Sequence, residues 1–334
     1  MQDSKIEWTT HTFNPWIGCA KVSAGCKNCY AETLMDTRYG RAKWGPNGTR
    51  TRTSKANWRK PIQWNKAAQA TGIRPRVFCS SLADVFENFE GLNEIRDDLF
   101  QLIILTPHLN WLLLTKRPEN VMNMVPPSWA EHLPFNVWVG VSVENQKTAD
   151  ERIPLLLQIP AAVRFLSCEP LLGPVDLSKW LYRTLSTEER NALYDSTGGG
   201  EAYCLACSRA ELHNLGINWV IVGGESGHGA RPMHPDWLRN LRDQCQAVGV
   251  AFFFKQWGEW WPIYSAGDDP DDKGRSVQAL PDGTVTYTGW NGGVGPHLKK
   301  SQSLWKHGKH AVGRLLDGKI HNAFPQPSLT SHIQ

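Results

Sequence analysis

Val137-Trp-Val-Gly-Val-Ser142-Val-Glu-Asn145, running straight into the helical pattern Gln146 to Leu157, is the stretch on which the architecture turns. An apolar run ends in a hydroxyl, a carboxylate and an amide, and a helix follows; this is one βα unit. The unit recurs on both sides. Strands are predicted at Arg76-Val-Phe-Cys-Ser80, Trp111-Leu-Leu-Leu-Thr115, Val163-Arg-Phe-Leu-Ser167, Trp219-Val-Ile-Val-Gly223 and Val250-Ala-Phe-Phe-Phe254, with a further one near Thr10 to Ile17. Further helices are predicted at Asn93 to Leu105 and at Pro235 to Val248, where Trp237, Leu238, Leu241, Cys245 and Val248 recur at helical spacing. Strands alternating with helices predict an α/β protein whose six or seven units close, fully or partly, into a (β/α) barrel; an open doubly wound sheet is the alternative.

The residues after each strand carry the functional signal. The strands end in Ser80-Ser-Leu-Ala-Asp84, Thr115-Lys-Arg117, Ser142-Val-Glu-Asn145, Ser167-Cys-Glu-Pro170, Gly223-Gly-Glu-Ser226 and Lys255-Gln-Trp257. Parallel strands bring these ends to one edge, where such folds bind their ligands. Any one of them alone reads as a helix N-cap or turn. Together they read as an active-site rim, and the chain as an enzyme. Ser80, Glu169 and Glu225 are polar rim residues, with a salt bridge as the plain reading of Glu169. Lys116, Arg117 and Arg231 suit a carboxylate or phosphate, arginine offering a planar fork. Lys255 and Trp257 face a substrate at the mouth, where the rings of Trp257, Trp260 and Trp261 can sandwich a base.

A second stretch, Gly18-Cys19-Ala-Lys-Val-Ser-Ala-Gly25-Cys26-Lys-Asn-Cys29-Tyr30, sets three thiols in a C-x6-C-x2-C arrangement. Thiolates hold iron–sulfur clusters and also suit zinc, and plain buried cysteines with no metal are the third reading. Zinc sites usually pair their ligands differently, and here the nearest fourth ligand is His11. Three thiolates on one centre leave a coordination position open, the mark of chemistry rather than scaffolding. Cys79, Cys168 and Cys245 fall in strand or helix patterns and read as core residues. Cys204 and Cys207, with His213, offer a second zinc site or auxiliary cluster, against a loop carrying two free thiols.

At 334 residues the chain divides into a barrel over 1–259, with a basic loop at 40–66 and an insertion at 178–218, and an extension over 260–334 that covers the barrel mouth. Gly40 to Arg59 reads as an ordered loop or lid. The net charge of +4 is mild, but cations cluster between Arg38 and Lys66 around Trp44, Trp58 and Trp64, and again from Lys299 to Lys319. Cations interleaved with aromatic rings suit a nucleic acid; two solvated loops are the plain reading. No apolar stretch approaches the roughly 20 residues of a membrane span. The N-terminus lacks a signal peptide's apolar core, so a cytoplasmic location is expected.

Cys26-Lys-Asn-Cys29-Tyr30-Ala31 resembles the end of the radical S-adenosyl-L-methionine (SAM) cluster motif, and its Gly-Cys-x-x-Cys-Tyr-Ala form is similar to the spore photoproduct lyase branch. The first pair departs from that motif, six residues apart instead of three. Over nearly its full length the chain resembles a phage-associated three-cysteine-motif family of uncharacterised function. That resemblance rests on the cysteine loop, Leu112-Leu-Leu-Thr-Lys-Arg-Pro118, Gly140 to Asn145, Ser167 to Gly173, Gly223 to Ser226 and Gly313 to Gly318. It implies a partial radical SAM-type barrel, located in a host cytoplasm if phage-encoded. Cys19, Cys26 and Cys29 would bind a [4Fe-4S] cluster whose open iron chelates SAM, and an electron donor would serve it. By the same resemblance Ser142, Glu144 and Asn145 would hold the ribose or methionine carboxylate, and Tyr30 would lie near adenine or simply pack. Gly223-Gly-Glu225 looks like the family's SAM-amino motif but follows a late strand, so that equivalence fails by position.

Two readings follow. One is a radical SAM enzyme abstracting hydrogen from a nucleic acid or nucleotide, in modification or repair. The other is a non-catalytic, zinc-bearing nucleic-acid-binding protein.

Overall fold

The strand sequences alternate two apolar sets, and each set finds its own layer. In a computed structural model, which describes residues 3–181, 216–262, 276–287, 302–306, 308 and 313–325, the strands in chain order are β1 (His11–Thr12), β2 (Trp16–Ile17), β3 (Thr51–Arg52), β4 (Arg76–Cys79), β5 (Asn110–Thr115), β6 (Val137–Ser142), β7 (Val163–Cys168), β8 (Trp219–Gly223), β9 (Ala251–Gln256), β10 (Trp260–Pro262), β11 (Ser276–Ala279), β12 (Val285–Tyr287) and β13 (Gln302–Lys306). The helices are α1 (Tyr30–Glu32), α2 (Lys55–Thr71), α3 (Asn93–Ile104), α4 (Val121–Met124), α5 (Gln146–Leu157) and α6 (Pro235–Val248). Seven strands form one parallel sheet in the order β1-β4-β5-β6-β7-β8-β9, curled into a half-barrel flanked by helices.

Alternate residues point to opposite faces of a strand. Val77, Trp111, Leu113, Val139, Val220 and Phe254 pack outward in one core with Leu99, Ile103, Ile153, Leu156 and Leu241 of the helices. Phe78, Leu112, Trp138, Phe165, Trp219, Ile221 and Phe253 line the concave side with Trp8. Large rings thus fill the inside of the half-barrel. Trp219 sits among them, with Trp8, Phe165, Trp138 and Phe253 at ring-centroid distances of 5.9–6.4 Å.

Among the described residues β9 is the last strand of the sheet, and the chain's own tail covers its edge. Phe254 N–H donates to the His321 carbonyl and Ala323 N–H to the Phe252 carbonyl, so residues 321–323 pair with the β9 edge. Phe324 then packs against Trp219 and Phe253, with the Arg76 guanidinium 3.8 Å from its ring centre. Covering a bare edge in this way removes an unpaired row of donors and acceptors. The described tail therefore follows the β9 edge; the Lys299 end of the second cation cluster lies outside the described residues. Strands β10, β13, β11 and β12 form a separate antiparallel sheet in that order, β11 and β12 pairing as a hairpin that ends at Tyr287.

One prediction is corrected. The stretch from Gly40 to Arg59 is not loop throughout, because α2 begins at Lys55. Ser54 caps it by accepting from Asn57 N–H, and Gly72, at φ 72°, ends it in the left-handed conformation. Pro61 lies inside this helix and masked its helical character in the sequence.

Candidate functional site

Every strand end singled out above lies at the carboxyl edge of the parallel sheet, and the cysteine loop crosses that edge. The three thiols are partly exposed, whereas Cys79, Cys168 and Cys245 are buried in the core. The loop is gripped from several strands at once. Next to Cys19, Ala20 N–H donates to Glu87 Oε1 at 2.8 Å and Ala20 O accepts from Arg117 Nη2 at 2.9 Å. Ser23 Oγ donates to Glu144 Oε1 at 2.7 Å. Arg231 Nη2 donates to Ala24 O at 3.0 Å, and Asn28 Nδ2 donates to Glu225 Oε2 at 3.0 Å and Gly229 O at 2.8 Å.

Buried charge stands behind these contacts. Arg117 Nη1 donates to Asp84 Oδ2 at 2.9 Å and lies 3.8 Å from Cys19 Sγ. Asp84 also accepts from Thr115 Oγ1 and from Lys116 N–H. Glu87 takes two bonds from Arg50, at 2.6 and 2.7 Å. Glu144, fully buried, pairs with Arg152 Nη1 at 2.9 Å. Burial alone would raise the Glu225 carboxyl, but hydrogen bonds from Arg231 and Asn28 outweigh it and hold it below the usual range.

The predicted residues divide by what their polar atoms do. Glu144, Glu225, Arg117 and Arg231 hold the loop. Asn145 caps α5 in a capping box with Thr148, and Ser80 Oγ donates to Ala83 O. Lys116 Nζ reaches Ser142 Oγ at 3.0 Å. Glu169 accepts from Lys255 Nζ at 2.6 and 2.8 Å and from Gln256 Nε2 at 3.2 Å. Tyr30 is 55% exposed beside the thiols and donates to Ser81 O. Trp257 is packed, 1% exposed, and its Nε1 donates to Leu315 O. Beside the loop opens a cavity of about 550 Å³, lined among others by Ala20, Val22, Lys116, Arg117 and Arg152.

Sequence reading missed Ser23, Asn28, Arg50 and Glu87. Arg50 counted as a surface cation, yet its side chain is 2% exposed in its pair with Glu87. The available signal was the second acid in the loop after β4, since a buried arginine requires a carboxylate partner. Trp64 of the basic run is likewise buried and stacks on His11 at 4.3 Å. Cys204, Cys207 and His213 lie outside the described residues.

The fit for an iron–sulfur cluster rests on donor chemistry. Three thiols of one loop meet a sheet edge where Arg117 and Lys116 offset thiolate charge. Among the described residues no set of three or more His, Cys, Asp or Glu side chains is arranged ready for a metal ion. Burial, reinforced by Asp84 and Glu87 and opposed by Arg117, pushes the Cys19 thiol up to about 12, and burial raises Cys29. Ligation therefore releases protons.

Comparison with known proteins adds one finding. The chain belongs to the family described as "Protein of unknown function (DUF5131)", whose model matches residues 3–325. No curated protein and no solved structure matches it.

Proposed function

We propose that this member of the DUF5131 family is a radical SAM-type enzyme that holds a [4Fe-4S] cluster on Cys19, Cys26 and Cys29 and acts on a nucleic acid or nucleotide. The observation that carries the reading is the placement of three partly exposed thiols of one loop at the carboxyl edge of a parallel half-barrel. That edge is where α/β folds present ligands. When bound, the cluster and SAM supply reductive cleavage of the sulfonium and a carbon radical that takes hydrogen from the substrate.

The chain's own part is to bind, orient and shield. Lys116, Ser142, Glu169 and Lys255 follow or end strands at the same carboxyl edge as the thiols and offer both signs of charge to a zwitterionic ligand. The aromatic floor of Trp138, Phe165 and Trp219 keeps water from below. Support for a nucleic-acid substrate comes from the segment after the loop, where Tyr39 is 50% exposed with Arg38 and Arg41 lying 5.6 and 5.4 Å from its ring centre.

Anaerobic purification with iron, sulfide and zinc analysis, followed by a SAM-cleavage assay under reducing conditions, tests the reading. Iron and sulfide with release of 5′-deoxyadenosine are expected. A colourless, folded protein holding stoichiometric zinc and inert towards SAM overturns it in favour of the zinc-bearing binding protein. Nucleic-acid affinity is expected to fall steeply with salt, and no binding at low salt removes that substrate class.

A further inference from the structure

The six residues between Cys19 and Cys26 are held along their length by side chains that follow four different strands, β4, β5, β6 and β8. Glu87 and Arg117 fix Ala20, Glu144 fixes Ser23, and Arg231 fixes Ala24. Gly25 lies so close to Glu144 that a Cβ there would stand 2.4 Å from Oε1. Ser23 Oγ in turn lies 3.9 Å from Cys26 Sγ. We infer that Ser23 and Glu144 are positioning residues for Cys26, and that the long spacer is a braced strut setting the separation of the thiols.

The physics favours a brace over incidental contact. Ser23 is half-buried, while Glu144 is fully buried and fixed from behind by Arg152, which also donates to Ser142 O at 2.8 Å. A hydroxyl donating to a charged, desolvated and immobile carboxylate is among the stronger hydrogen bonds. On the far side the Glu225–Arg231 pair, 2.6 Å apart, does the same for Ala24 and Asn28. An unbraced six-residue span would sample many thiol separations; this one is tied at three of its residues. The consequence for the site rests on the reading above, but the brace itself does not.

Hydrogen exchange of the metal-free protein, followed by mass spectrometry over residues 19–29, tests it in Ser23→Ala, Glu144→Gln and Ser23→Thr. Loss of one charge-assisted bond is expected to speed exchange in the loop by about tenfold in the first two variants. Strand 137–142 should be unchanged, and Ser23→Thr, which keeps the hydroxyl, should behave as the parent. Iron uptake on anaerobic reconstitution should fall in the same two variants. If Glu144→Gln does not fold, Ser23→Ala decides alone. Exchange in the loop unchanged in Ser23→Ala overturns the brace. If the parent takes up no iron, the cluster reading falls while the exchange comparison still decides the brace.

Discussion

Arg117 holds Cys19 from two sides: Nη1 lies 3.8 Å from Sγ, and Nη2 donates to the following carbonyl, Ala20 O, at 2.9 Å. The same guanidinium pairs with Asp84 and Glu87, and all three side chains are less than a tenth exposed. An arginine named in the sequence as a phosphate or carboxylate fork is thus engaged in the frame of the cysteine loop.

Replacing Arg117 with Met leaves Asp84 and Glu87 buried with fewer donors. Removing one partner of a buried ion pair costs about 3–5 kcal/mol. The low end is expected, because Glu87 keeps Arg50 and Asp84 keeps Thr115 and the Lys116 amide. Denaturant unfolding measures the loss; a cost below about 1 kcal/mol would mean the network is not buried in solution.

Gly25→Ala forces a methyl group to within 2.4 Å of Glu144 Oε1 and 2.6 Å of its Cγ. Neither can retreat, because Glu144 is fully buried. Overpacking of this kind costs about 1–3 kcal/mol. A lowered thermal midpoint with faster exchange in residues 19–29 is expected; an unchanged midpoint would place the loop away from Glu144.

Trp257→Phe removes the donor to Leu315 O while keeping an aromatic ring in the core. Leu315 is 47% exposed, so water can replace the lost donor and the cost is that of one ordinary hydrogen bond, about 0.5–1.5 kcal/mol. Stability should fall by that amount with no change in nucleic-acid affinity, since the ring is 1% exposed. An affinity loss without a stability loss would restore this tryptophan as a stacking residue.

Docking of the tail along β9 should weaken in acid, in two stages. Burial lowers the His321 pKa from 6.5, and its buried Nε2 has no partner among the described residues, so the folded state favours the neutral ring. The unfolded chain binds that proton first, and stability falls as the pH drops below about 6.5. Hydrogen bonds from Arg239 and Arg242 hold Asp317 below its ordinary 3.8, so its contribution is present above that value and lost as the pH falls through the lowered one. Hydrogen exchange over 313–325 at pH 7.5 and 5 checks the first stage; equal protection at both would refute it.

The sequence by itself determined the strands, three long helices and the polar rim. Val137–Ser142, Trp219–Gly223, Gln146–Leu157 and Pro235–Val248 form as their local patterns predict, because period-2 and helical apolar spacing are properties of neighbours in the chain. It also determined that the strand ends gather at one edge, since parallel strands joined by helices have no other arrangement. Tertiary structure alone decided what each polar end does. Ser23 meets Glu144 across 121 positions and Arg231 meets Ala24 across 207, distances over which no local pattern reports. The same holds for Arg50, a surface cation by composition and a buried partner of Glu87 in the fold. A charged side chain reads alike in sequence whether it faces a ligand or pins a loop, and only the position of its partner in space distinguishes the two.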